Sequence, residues 1–172
     1  MKKILLLSDT HSHMDPKIKT YAEQADEIWH AGDIGKTSVL DELKSINPVR
    51  AVYGNIDSHK LRQQAPEILS FNCEGVSVLM IHIAGYPGRY NAKVKQLIET
   101  KRPKLFICGH SHILKVMHDK KFGHLHMNPG AAGISGFHKV RTLLRFELEF
   151  GQIKNLEAIE LGLRGALTNA VN

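Results

Sequence analysis

The chain has 172 residues, 42% hydrophobic and 23% charged, which is enough for one core and too apolar for intrinsic disorder. Its 23 basic and 17 acidic residues give a formal charge of +6, which permits an anionic partner. No basic stretch is interleaved with aromatics, however, so no specific nucleic-acid partner is expected.

The first predicted strand is the apolar run Ile4–Leu7, too short for a signal peptide or a membrane span. It runs straight into Ser8-Asp9-Thr10-His11. Asp15-Pro16 then reads as an N-cap followed by proline at the first helical position, and Ile18, Tyr21, Ala22 and Ala25 recur at helical spacing as far as Asp26. A strand at Glu27–His30 ends on Ala31-Gly32-Asp33. A helix over Lys36–Ile46 carries Val39, Leu40, Leu43 and Ile46 on one face, and a strand at Val49–Val52 runs into Gly54-Asn55-Ile56-Asp57. This β-α-β-α-β opening predicts parallel strands with right-handed crossovers.

The pattern then changes. Glu67–Phe71 and Val76–Ile81 read as short strands around a turn at Cys73-Glu74-Gly75, the second ending on His82. A Gly/Pro-rich loop, Ala84–Gly88, leads through Arg89 to a helix from Asn91 to Thr100 carrying Val94, Leu97 and Ile98. Leu105–Cys108 is a strand that drops into Gly109-His110-Ser111-His112. Strands are expected at Ile113–Asp119, Gly123–Met127, Arg141–Phe150 and Gln152–Leu161, and an irregular tail from Gly162. In the third of these, Leu144, Phe146, Leu148 and Phe150 form the buried face. The sum is a parallel α/β half followed by an antiparallel β half, packed as two sheets face to face with helices outside. Residues 1–172 are expected to form one domain. Two cysteines, Cys73 and Cys108, make no disulfide framework, so a reducing cytoplasm and no membrane partner are expected.

Five apolar runs thus end at once on Asp, His or Asn, and the candidate metal ligands are Asp9, His11, Asp33, Asn55, His82, His110 and His112. Carboxylate oxygens and imidazole nitrogens without a thiolate suit Mn²⁺, Fe or Zn²⁺. Each piece alone has a bland explanation: an Asp-x-His loop cap, an Asp33 that caps the following helix, an Asx turn at Gly54–Asp57, or a hydrogen-bonded core histidine at His82. Five independent strand ends together point to a centre of two metals, which needs one shared carboxylate. Asp33, in the loop after the middle parallel strand, is the natural bridge. Gly32, Gly54 and Gly109 leave room for close backbone approach. Ser8 shapes its own strand end and Cys108 is a core thiol. His13 and His59, just beyond ligand motifs, and Arg89, whose guanidinium can hold a phosphate bidentately, are candidates for touching substrate.

With these motifs and Asn128-Pro129-Gly130, the chain resembles the calcineurin-like metallophosphoesterases over roughly Lys3–Leu161. It looks most like their small, single-domain prokaryotic phosphodiesterase branch, and it is also similar to a metal-poor eukaryotic scaffold subunit of retromer. The resemblance implies a four-layer αββα sandwich, with two mixed β-sheets face to face and helices outside. It also implies a binuclear centre with Asp9, His11, Asp33 and His112 on the first metal and Asp33, Asn55, His82 and His110 on the second. Asn128-Pro129-Gly130 would be the turn that brings the late strands beneath the site.

Two departures stand out. Larger members carry a histidine, the proton donor to the leaving group, where this chain has Ile56. The neighbour that relatives keep after their fourth-motif histidine is absent from His82-Ile83-Ala84-Gly85-Tyr86. The predicted activity is direct hydrolysis of a small-molecule phosphoester, chiefly a diester, by a hydroxide bridging two divalent ions, with Mn²⁺ as the ion of choice. Asp9, Asp33, Asn55 and His110 would be central to catalysis, and His13 or His59 would substitute for the missing acid. An idle metal-bound scaffold and a nuclease-like enzyme are the alternatives, and a homo-oligomer stays open.

Overall fold

The computed structural model describes residues 1–165, and two five-stranded mixed sheets form its centre. In the first sheet, β1 (Lys2–Leu7), β2 (Glu27–His30) and β3 (Val49–Ala51) are parallel, while β9 (Val140–Glu149) and β10 (Gln152–Leu163) run antiparallel beyond β1. In the second, β5 (Val76–Ile81), β6 (Leu105–Ile107) and β8 (Leu125–Pro129) are parallel. That sheet is flanked by the antiparallel strands β4 (Ile68–Cys73) and β7 (Leu114–His118).

Alternation places the core. Ile4, Leu6, Trp29, Leu144, Phe146 and Leu148 face Val78, Met80, Leu105, Ile107 and Met127 across the gap between the sheets. The opposite faces of the same strands are covered by helices. Leu5, Leu7 and Ile28 pack on α1 (Pro16–Glu23) and α2 (Thr37–Ile46) through Ile18, Ala22, Leu40 and Leu43. Leu79 and Phe106 pack on α4 (Ala92–Lys101) through Val94 and Ile98. The layers are therefore α, β, β, α, as expected. Stretches such as Ile4–Leu7 of β1 and Leu105–Ile107 of β6 read as unbroken apolar runs because both of their faces are buried.

Local chemistry explains the ends. Asp15 caps α1 by accepting from the Ile18 N–H (3.0 Å), with Pro16 at the first helical position, and Asn91 caps α4 through the Val94 N–H (2.9 Å). Asp33 does not cap α2, whose N-cap is Lys36 without a side-chain bond. Several expected bounds shift. β8 starts at Leu125 and runs on through Asn128-Pro129, so those two residues end a strand and only Gly130 lies beyond it. Phe150, expected on the buried face, sits in the β9–β10 turn with φ of 47° and is 90% exposed. β10 continues through Gly162 to Leu163, because its edge still pairs with Val140 and Arg141; the rest of the expected irregular tail, 166–172, lies outside the described residues. One short helix, α3 (His59–Arg62), has no apolar period to announce it; the Ser58 hydroxyl caps it by accepting from the Leu61 N–H. Among the described residues no helix is long and apolar enough to cross a membrane.

Candidate metal centre

The parallel strands of both sheets end at one edge, and their loops are sewn together there. The loop after β1 runs alongside the loop after β2 through Asp9 N–H to Gly32 O (2.9 Å), His11 N–H to Asp33 O (3.0 Å) and Ser12 N–H to Ile34 O (2.8 Å). Two bonds then join the sheets. Asp9 Oδ2 accepts from the His110 N–H (3.1 Å), and His82 Nδ1 donates to Ala31 O (2.7 Å). Asp57 ties the third loop in by accepting from Gly35 N–H (2.7 Å) and Gly54 N–H (2.8 Å) with its two oxygens.

This sewing gathers two groups of donors, Asp9 with His11 and His112, and Asp33 with His82 and His110; within each group the potential ligand atoms lie within 4.8 Å of one another. Asp33 stands between them: its Oδ2 is 3.6 Å from His11 Nε2 and its Oδ1 is 3.2 Å from His82 Nε2. Asp9 Oδ1 lies 3.3 Å from His112 Nε2 and 3.9 Å from both His11 Nε2 and His82 Nε2. The backbone is bent to achieve this. Asp9, His11, Asp33, His110 and His112 all have positive φ, between 46° and 70°. Gly54 is required for space: a Cβ there would overlap the Asp33 carboxylate and amide nitrogen.

The donors fit metal ions. Asp9 Oδ1, His11 Nε2 and His82 Nε2 are buried and have no hydrogen-bond partner, an arrangement that costs free energy unless a cation satisfies them. The tautomers agree with that reading. Because His82 Nδ1–H donates to a carbonyl, its Nε2 lone pair faces Asp33. His138 Nε2 donates to Gly133 O (2.9 Å), so its Nδ1 is the acceptor for His112 Nδ1–H (3.2 Å), and the His112 Nε2 lone pair faces Asp9. Burial lowers the affinity of His138 for a second proton and keeps it neutral for this role. Burial pushes the Asp33 carboxyl up, but the His82 imidazole and the Ile56 N–H (3.1 Å to Oδ1) more than reverse this and hold it below its ordinary range. His82 is correspondingly raised: burial opposes its charge, and Asp33 and Asp9 outweigh burial.

Asn55 is exposed, and it shares a cleft with His82. His13 is held by Asp15 (Nε2 to Oδ2, 3.1 Å), which also binds the buried Arg141 (2.6 Å), so its ring belongs to that ion pair and not to either donor group. His59 opens α3 and is exposed. Arg89 is exposed in a tight turn, its N–H on Tyr86 O (2.7 Å), and lines neither cleft beside the donors. Ser8 is buried with its hydroxyl toward Gly32 O (3.4 Å), and burial lifts the Cys108 thiol to about 12, so both are structural, as expected.

Three supporting residues lie outside the predicted ligand set. His138 stands apart from every ligand motif. Asn128 braces the fourth loop by donating from Nδ2 to Gly109 O (2.8 Å) and Ser111 Oγ (3.1 Å), while its Oδ1 accepts from Gly130 N–H (3.0 Å). Only its Asn-Pro-Gly setting singled it out. His30 accepts the Gly32 N–H at Nδ1 (3.2 Å) and donates from Nε2 to Thr10 Oγ1 (2.9 Å), a neutral tautomer that burial enforces by dropping its pKa to about 4.

Known proteins share this fold. A probable metallophosphoesterase of Methanothermobacter thermautotrophicus is 30% identical over 112 residues, 62% of this chain and 64% of that protein, so the match spans a little under two thirds of the relative's length. A solved novel archaeal phosphodiesterase superposes with a TM-score of 0.72 at 22% identity, covering 92% of this chain and 99% of that one. Vps29 of Entamoeba histolytica in complex with Zn²⁺ does so with a TM-score of 0.68 at 16% identity, covering 92% and 98%. At those identities the two structures speak for the fold. The family assignment comes from the sequence itself, since residues 1–151 match the calcineurin-like phosphoesterase superfamily domain. The chain belongs to the calcineurin-like phosphoesterase superfamily.

Proposed function

We propose that the chain is a binuclear metal-dependent phosphodiesterase, residues 1–172 acting as one domain on a small-molecule phosphoester in the cytoplasm. The observation that carries this reading is the set of three buried, unpartnered donor atoms, Asp9 Oδ1, His11 Nε2 and His82 Nε2, of which the two imidazole nitrogens each lie near one oxygen of Asp33. Asp9, His11, Asp33 and His112 would hold the first ion, and Asp33, Asn55, His82 and His110 the second. Divalent ions held there would supply Lewis acidity toward phosphoryl oxygens and lower the pKa of water toward neutrality. Such atoms call for bound ions, which a metal-bound scaffold would also supply, so turnover is the readout that separates the enzyme from the scaffold.

The remaining roles fall to the chain. Asp33 is fixed for bridging by the Ile56 N–H on one oxygen, while Asp9 is fixed by the His110 N–H. Ile56 presents a side chain, 46% exposed, that has no proton to give. General acid catalysis is typically worth about 10²–10⁴-fold, so ester groups that leave as stabilised phenolates should react far faster than alkyl esters. His59, exposed and outside the pair that engages His13 with Asp15, would be the candidate acid. A diester also carries less charge than a monoester and asks for fewer cationic side chains.

Elemental analysis and a substrate panel test the proposal together. After incubation with Mn²⁺ the protein should hold two ions per chain and hydrolyse bis(p-nitrophenyl) phosphate, with alkyl monoesters slower by orders of magnitude. Asp33→Asn should lower occupancy at both positions and His112→Ala chiefly at one. A protein that stays below one ion per chain, or that turns over alkyl monoesters efficiently, contradicts it.

A further inference from the structure

The second donor group stands between two clefts. One, of about 380 Å³, is lined by Tyr53, Asn55, Arg62, His82, Ile83 and Lys93 among others. The other, of about 200 Å³, is lined by Tyr86, His110, Ser111, Ile113, Lys115 and His126 among others. His82 lines the first and His110 the second, and their rings meet edge to face with centroids 5.3 Å apart. A phosphorus centre held over this pair of imidazoles therefore has a cleft beside each of them. A monoester would leave one of them empty; a diester has an arm for each.

The two clefts differ in chemistry. In the larger, the Arg62 guanidinium lies 4.7 Å over the Tyr53 ring, and two of its nitrogens are held by Asp57 O (2.9 Å) and Asn55 O (3.3 Å). Lys93, paired with Glu67, adds a second cation. Preorganised donors beside an aromatic face suit a polar ester group carrying hydroxyls or carbonyls. In the smaller cleft, Tyr86 and Ile113 are 40% and 61% exposed and form apolar walls, with the Lys115 ammonium 4.1 Å from the centre of the Tyr86 ring. Its floor is His126, buried, bonded to the Tyr90 hydroxyl (2.9 Å) and uncharged at neutral pH. A cavity of about 150 Å³ is enough for benzene, so this space admits one aromatic ring or a short alkyl group and little more.

We infer that the preferred substrate is an unsymmetrical phosphodiester, with a compact apolar or aromatic ester group against Tyr86 and Ile113 and a larger polar one against Tyr53 and Arg62. This rests on the phosphodiesterase reading and adds the substrate's shape to it. Hydrolysis forms one P–O bond to the oxygen of water and breaks one P–O ester bond; a proton of the water ends on the departing phenol or alcohol, or in solvent, and a phosphomonoester remains.

Binding and turnover are measured separately on metal-loaded protein. Diphenyl phosphate, which needs no turnover to report, is titrated calorimetrically into wild type and Tyr86→Ala/Ile113→Ala, a pair of exposed positions whose loss spares the core. Its Kd should weaken at least tenfold in the variant, while that of dimethyl phosphate changes less than twofold. In kinetics, wild type should prefer thymidine 5′-(p-nitrophenyl phosphate) over methyl p-nitrophenyl phosphate at least tenfold in kcat/KM, and Arg62→Gln should abolish that preference. Unchanged diphenyl phosphate binding in the double variant, or equal loss for both phosphates, overturns the small cleft. An undiminished preference in Arg62→Gln overturns the larger one. Selective binding as predicted with no turnover of any diester supports the clefts as ester sites and removes the phosphodiesterase reading instead.

Discussion

Replacing His138 by alanine isolates the part of the metal centre that the ligand motifs do not contain. His138 touches His112 at 3.2 Å, and the ring centroids are 5.1 Å apart at 70°. With its Nε2–H committed to Gly133 O, the only role left for its Nδ1 is to accept the His112 Nδ1 proton. Without that acceptor, His112 is free to carry its proton on Nε2, the atom that faces Asp9, and to rotate. The lost hydrogen bond is worth about 0.5–1.5 kcal/mol. Removal of the group that orients a metal-bound histidine typically costs about 10–100-fold in affinity, or about 1.4–2.8 kcal/mol. The loss should fall on the ion that Asp9, His11 and His112 would hold, because His82 is oriented independently by Ala31 O. Stepwise Zn²⁺ titration of the His138→Ala protein should therefore show one site weakened by tens of fold and one unchanged. Long-range ¹⁵N correlation spectra of the metal-free protein should show His112 shifting from the Nδ1–H tautomer toward a mixture. His138→Gln, whose amide can accept from His112 and donate to Gly133, should restore much of both readouts. Equal weakening of the two sites, or an unchanged His112 tautomer, would refute the reasoning.

Gly54→Ala should cost the protein both ions, because the new methyl would meet the Asp33 carboxylate and its backbone nitrogen; full occupancy by elemental analysis would show that the loop yields. Arg141→Met should destabilise the fold by about 3–5 kcal/mol in urea, since Arg141 is 1% exposed and Asp15 only 8%, and the carboxylate would be left buried without its cation. The loss should shrink below the ordinary carboxylate range, where Asp15, held low against burial by Ile18 N–H, Arg141 and His13, finally takes a proton. Acidification should also act through His126. Its folded pKa, depressed by burial and by His124 to about 4, lies below the unfolded value near 6.5, so the unfolded chain binds the proton first and stability falls as pH drops through that window. Between pH 7 and 5 the effect is on the order of 1–2 kcal/mol. In metal-free protein His126→Gln should flatten the slope of the urea midpoint with pH, and a steeper slope would mean that the sign is wrong.

Much of this molecule could be read from its sequence, for physical reasons that also mark the limits. The strands β1 and β6 are short apolar runs followed closely by Asp, His or Gly, so their existence was legible, as was the parallel order of β1, β2 and β3. The parallel order of β5, β6 and β8 was not, since that half was expected to be antiparallel and strand direction there is set by crossovers between segments distant in sequence. Asp15-Pro16 and Asn91 announced their helices because capping is a local interaction. What escaped depends on contacts distant in sequence. Phe150 fits the alternation of β9, yet the chain turns there, and periodicity does not record where a hairpin closes. β10 outlasts its pattern because pairing with β9, not burial, sustains it. His138 lies 26 residues from the histidine it orients, in a loop with no ligand spacing. His13 sits two residues from a ligand motif, but a buried ion pair with Arg141, 126 residues from Asp15, claims its surroundings.

The left-handed backbone at Asp9, His11, Asp33, His110 and His112 acts as a second filter on which amino acids can serve here. Asp, Asn and His tolerate that region several-fold better than other non-glycine residues, so the residues that suit the ions are also those that suit the turn. Glutamate, chemically close to aspartate, fails twice, being both too long and poorly matched to the turn. The same coincidence makes the centre a reservoir of conformational tension in the empty protein, where glycine would sit more comfortably than any ligand. His11→Gly should accordingly raise the stability of the metal-free chain, by up to about 1 kcal/mol, while lowering that of the loaded one. A melting comparison with and without Zn²⁺ would show the two curves crossing. A chain that holds ions there as proposed would be whole only when charged with them, and selection for thermal robustness alone, in their absence, would erode its donors one by one.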